Sequence, residues 1–169
     1  MIPVICFRRA WLAALPLCIS ACVVPVAPQF EDPVGNYSPY VASSLPAAGA
    51  ELPASADPPT IEVTLGDPNL EDVLVARWLI DYPPFDESAS RAALDVRLPP
   101  TGHVTRDPIL FAPSCLENQI APGPLSHRVT LSVADRPFLP PDQSDLGLDS
   151  VPAAGFLVRT TWIVDLACP

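Results

Sequence analysis

Two histidines, His103 and His127, are the only side chains here with an ordinary pKa near neutrality that suits a general base. His103 follows two prolines in the loop Thr101-Gly102-His103 and is expected at the surface. His127 opens an alternating apolar run and is expected to pack or hydrogen-bond at a sheet corner. Ser126 precedes it, but neighbours on a strand point to opposite faces. The pair therefore does not supply the nucleophile, base and orienting carboxylate of a hydrolytic triad. The sequence contains no nucleophile elbow, HExxH, phosphate loop or dinucleotide fingerprint. Zinc is poorly provided for with two histidines. The chain reads as non-enzymatic, with an uncharacterised hydrolase as the remaining alternative.

Hard oxygen ligands cluster twice: Asp67, Asn69, Glu71 and Asp72 in one turn, and Asp142, Asp145 and Asp149 in another. Such oxygens suit calcium, and the first group has D-x-N-x-E spacing, which resembles the early half of a calcium loop. It lacks the later glycine and the distal bidentate glutamate of an EF-hand. Asp and Asn are also ordinary turn formers. No cofactor is expected otherwise, and calcium at Asp67, Asn69, Glu71 and Asp72 is the metal site to test.

The N-terminus speaks to compartment. Arg8 and Arg9 precede the apolar run Ala10–Ile19, ten residues long, the length of a secretory core and half of a membrane-spanning helix. The run ends in Ile19-Ser20-Ala21-Cys22, which resembles the lipobox of bacterial lipoproteins. That resemblance implies a signal peptide over residues 1–21 and an acylated Cys22 as the first residue of the mature chain. Each buried methylene of the acyl chains contributes roughly 0.8 kcal/mol to anchoring. Val23, where an aspartate would retain a lipoprotein in the inner membrane, implies the outer membrane, facing the periplasm or displayed at the surface. With Cys6 and Cys18 removed and Cys22 lipidated, Cys115 and Cys168 remain, and an even remainder in an oxidising compartment reads as one disulfide. Two unpaired thiols or a metal pair is the alternative.

Eight prolines fall between Val23 and Pro59, among alanine and serine and without a sustained hydrophobic period. Residues 22–59 are accordingly expected to form the lipidated cysteine and a disordered, semi-extended tether. Residues 60–169 are the expected domain. Period-two alternation marks Thr60–Leu65, Val73–Asp81, Ala93–Leu98, His127–Ala134 and Gly155–Leu166, and Ile109–Phe111 is a short apolar run bounded by prolines. Val73–Asp81 is apolar on most of both faces and should be central. Turn residues separate these runs, among them Gly66-Asp67-Pro68-Asn69 and Tyr82-Pro83-Pro84. An all-β fold of six to seven short strands packed as a β-sandwich follows.

The segment from Pro122 to Asp135, PGPLSHRVTLSVAD, is similar to the penultimate strand of immunoglobulin-like domains, including the PKD type. Trp78 on an early central strand fits the buried tryptophan of such a sandwich. The resemblance implies a single immunoglobulin-like domain and carries no catalytic residue. The placement of Cys115 and Cys168 departs from the usual inter-sheet disulfide, and no tyrosine corner is evident unless His127 replaces it.

All nine basic residues are arginine, against nineteen acids. From Cys22 onward seven arginines remain, a net charge of −12, which disfavours nucleic acid and acidic lipopolysaccharide. The expected role is that of a membrane-anchored envelope lipoprotein, binding the lipid bilayer through Cys22 and an unidentified envelope protein through its domain. A calcium- or carbohydrate-dependent adhesion module is the alternative.

Overall fold

A computed structural model describes residues 35–54, 59–86, 90–115, 117–118, 120, 123–140 and 147–168. Residues 1–21, expected to form a signal peptide, and Cys22, Asp142 and Asp145 lie outside the described residues. Within them the chain is all-β, a two-sheet sandwich of eight strands: β1 (Tyr40–Leu45), β2 (Glu51–Leu52), β3 (Ile61–Gly66), β4 (Leu74–Ile80), β5 (Arg91–Leu98), β6 (Ile109–Phe111), β7 (Gly123–Ala134) and β8 (Leu157–Cys168). One sheet has the order β1-β3-β6 and the other β2-β8-β7-β4-β5. All pairings are antiparallel except β2 with β8. Setting β1-β3-β6 against β8-β7-β4-β5 reproduces the A-B-E and G-F-C-C′ strands of the immunoglobulin arrangement.

Alternation dictates which faces meet. Ile61, Val63 and Leu65 of β3, Leu74, Ala76 and Trp78 of β4, and Val129, Leu131 and Val133 of β7 are all fully buried. Trp78 is the hub, stacked on Phe111 at 4.7 Å between ring centroids and tilted against Trp162 at 5.7 Å. β4 is central, between β5 and β7. Its second face is covered too, because the chain after β7 folds back over it. Arg77 there donates to Leu148 O, pairs with Asp95 through two bonds of 2.7 Å and lies 4.6 Å from the Phe138 ring.

The strand count and the domain start differ from expectation. Residues 35–54, expected within the tether, carry β1 and β2, so eight strands replace six to seven. Proline-rich composition averaged over 37 residues hid a six-residue run that borrows its order from partners. β1 takes its ladder from β3, and the Tyr40 ring lies against Gly66, where any Cβ would collide with it. Trp162 Nε1 donates to Pro46 O at 3.1 Å, fixing the crossing to the other sheet. There Glu51 and Leu52 pair with Ile163 and Val164. At the far end β7 starts at Gly123, inside the expected proline-glycine turn.

The cysteine pair is formed. Cys115 follows β6, Cys168 ends β8, and their disulfide spans a Cα–Cα distance of 5.4 Å. It therefore links the continuation of one sheet to the last strand of the other, although it is not placed between the strands that immunoglobulin domains usually bridge.

Candidate functional site

Three polar constellations are assembled by the sandwich. The first is centred on Asp149, which is 1% exposed. It accepts from Tyr82 Oη at 2.7 Å, Ser132 Oγ at 2.5 Å and Arg159 Nε and Nη2 at 2.5 and 2.9 Å. Burial pushes its carboxyl up, but the hydrogen bonds from Arg159, Ser132 and Tyr82 together outweigh it and hold the pKa below the ordinary value. Burial and the Asp149 contact push the Tyr82 hydroxyl up to about 12. A carboxylate held ionised is a weak base, and Ser132 is fully buried, so this network ties the 147–150 turn to β7 and β8. Its geometry is structural.

The second lies where β4 ends. Asp81 has φ 55°, a left-handed conformation that a short polar side chain tolerates. Its carboxylate lies 3.0 and 3.2 Å from His127 Nδ1 and accepts from Arg128 N at 3.3 Å. His127 is 5% exposed, at the start of β7, as expected for a packed histidine. It bonds the β4–β5 turn and so does not reproduce a tyrosine corner. On the other face, Asp81, Pro83, Pro84, Ser126, Arg128 and Ile163 line a shallow depression of about 280 Å³. Ser126 Oγ donates to Asp165 there at 2.5 Å, and Arg128 Nη1 donates to Pro83 O. Ser126 and His127 are separated by the sheet, as the alternation requires. His103 is exposed.

The third gathers at the β3–β4 turn, where the four residues expected to bind calcium divide between different contacts. Asn69 is spent on the N-terminal segment: its Oδ1 accepts from Tyr37 N at 2.7 Å and its Nδ2 donates to Gly35 O at 3.0 Å. Glu71 is exposed. Asp67 and Asp72 do come together, and with them stand Asn36 and Asp135, neither of which has a local sequence signal for this place. Asn36 Nδ2 donates to Asp135 Oδ2 at 2.7 Å, a contact across 99 residues that no local pattern signals. Asp67 is fully buried; burial first, then the like charges of Asp72 and Asp135, raise its pKa, against the Asn69 N–H and Arg106. Asp149, of the second acidic cluster, belongs to the Arg159 network instead. Among the described residues, no three His, Cys, Asp or Glu side chains group as metal ligands.

Arg106, 3% exposed, organises this end from below. Its guanidinium donates to His103 O, to Asp72 O at 3.2 Å and to Asn69 O at 3.4 Å. Arg136 donates to Asp135 O at 2.7 Å and approaches Asp72 Oδ2 at 3.7 Å. Compared with known proteins, the chain matches no protein-family model and no curated sequence.

Proposed function

We propose that the chain is a lipid-anchored lipoprotein of the cell envelope whose sandwich makes a non-catalytic contact with another envelope protein, by adding an extended segment of that protein to β5. The observation that carries this reading is the position of β5: eight residues at the edge of the five-stranded sheet, hydrogen-bonded to β4 on one side. An edge strand offers a row of backbone donors and acceptors to an incoming strand. Leu94 on β5 is 42% exposed, an apolar side chain available to that partner. Asp95 and Arg97 on the same strand oppose indiscriminate pairing and favour a segment of complementary charge. Anchoring is supported by Arg8, Arg9, the apolar run and Ile19-Ser20-Ala21-Cys22, and outer-membrane placement by Val23. The acidic balance favours a protein partner over a polyanion.

The test is a photo-reactive residue at Leu94 in the membrane-anchored chain, with Cys22→Ser as the second arm. The chain should be recovered from membranes with a mass beginning at Cys22 plus acyl chains. Leu94 should then cross-link to one envelope protein, while the same probe at Glu62, exposed on the middle strand β3, should not. Cys22→Ser should lose the acyl mass and the membrane attachment. Equal cross-linking from both positions would remove the edge-strand reading, and an uncleaved chain would remove the anchor.

A further inference from the structure

Where β3 turns toward β4, three side-chain oxygens are buried with no hydrogen-bond donor among the described residues: Asn36 Oδ1, Asp67 Oδ2 and Asp72 Oδ2. Asp67 is 0% exposed, so its free oxygen faces protein rather than solvent. The two bonds from Asn69 to Gly35 and Tyr37 clamp Asn36 on either side against the 67–72 turn. The orientation of the Asn36 amide is fixed by chemistry. Its Nδ2 must face the Asp135 carboxylate, since the flipped amide would set oxygen against oxygen, and Oδ1 is therefore turned away from Asp135. Asp67 Oδ1 already accepts from Asn69 N at 2.8 Å, which leaves Oδ2.

The neighbouring cations do not satisfy these atoms. Arg106 gives Nη1 and Nη2 to backbone carbonyls and Thr101 while its buried Nε reaches no acceptor among the described residues, and Arg136 donates to Asp135 O and meets Asp72 Oδ2 only as an ion pair at 3.7 Å, beyond hydrogen-bond reach. Buried polar atoms in native proteins are paired, and an exception calls for an explanation such as an ion. Oxygen lone pairs from two carboxylates on a turn and one amide on the segment before β1 are what a hard cation of flexible coordination accepts.

We propose that Asn36 Oδ1, Asp67 Oδ2 and Asp72 Oδ2 bind one Ca²⁺ ion, with water completing its shell. Asp135 is a positioning residue that aims the Asn36 amide. The site is distinct from β5, and two carboxylates make it a weak one, with a Kd on the order of 10⁻⁴ to 10⁻³ M, as in extracellular modules.

The experiment is thermal unfolding of the full chain in detergent, in EDTA and in about 10 mM CaCl₂, at least tenfold above the expected Kd. Calcium should raise the Tm of the wild type by several degrees. Asp67→Asn should keep or raise the Tm in EDTA, because its new NH₂ can donate to the orphaned oxygens, and should lose the calcium response. Asp72→Asn, at a less buried position, provides the same readout should Asp67→Asn fail to fold. The same Tm in EDTA and calcium would overturn the site, as would an undiminished calcium shift in both variants or an equal rise with choline chloride at matched ionic strength.

Discussion

Asp149 and Asp67 are both buried carboxylates, yet their surroundings drive them in opposite directions, and the pH dependence of stability should separate them. Asp149 has a folded pKa below its ordinary 3.8, so its contribution is present above that value and is lost as pH falls through the folded pKa. Asp67 has a folded pKa above 3.8; its contribution is present below that value and is lost as pH rises through the folded pKa. In cation-free buffer the Tm should therefore rise as pH is lowered from neutrality toward 4, then drop below it. Asp67→Asn should abolish the rise. Asp149→Asn should lessen the acid-side drop and cost about 2–3 kcal/mol at neutral pH, the low side for a broken buried pair because Arg159 is half exposed. Urea unfolding across pH checks each. At this scale the cysteines were legible by counting, and Asp67 and Asp72 by type and spacing. Asn36 and Asp135 were not, since a lone asparagine in a proline-rich stretch and an aspartate ending a strand acquire their roles only by meeting each other.

Strands with a buried face declare themselves in sequence because burial selects every second residue. Ile61–Leu65, Val73–Asp81 and His127–Ala134 were readable for that reason, and the central place of β4 followed from its having two apolar faces. β1 had no such signal: Val41 and Ser44 are only half-buried and the rest of the strand is exposed. Its order is contributed by β3, across a bulge between Val41 and Ser43. Hydrogen exchange tests this element directly. Those amides of Tyr40–Leu45 that face β3 should exchange far more slowly than a free chain; exchange at the free-chain rate throughout would return this segment to the tether. β5 illustrates a second limit. The register shift opposite Trp78 and Leu79 draws Ala93 against the core and leaves Leu94 largely exposed, which strict alternation does not foresee.

For the whole molecule, the two sheets are held by the Trp78–Phe111–Trp162 core, by the crossing of residues 46–50 and by the disulfide. Closing a loop of 53 residues stabilises by roughly 4 kcal/mol in the chain-entropy model. Replacing both cysteines, Cys115→Ser with Cys168→Ser, should cost about that much in urea unfolding at unchanged far-UV circular dichroism. A loss under 1 kcal/mol would mean the bond adds little to a core that already closes. The all-β class and the sandwich were legible at this scale because they follow from strand number and turn spacing. The arrangement of the N-terminal segment, one strand in each sheet, was not, because the partners that order it lie as far away as β8.

The same bond changes what a protease can do to this protein. The turn after Cys115, the connection from β7 to β8 and both of those strands lie between the two bridged positions. A single cleavage anywhere in that interval produces two chain ends but no second molecule. The piece carrying β8 stays fastened to the piece carrying β1 through β6, with its backbone ladder to β7 or β2 in place. Between Cys115 and Cys168 the polypeptide is a ring, and one cut opens a ring without dividing it.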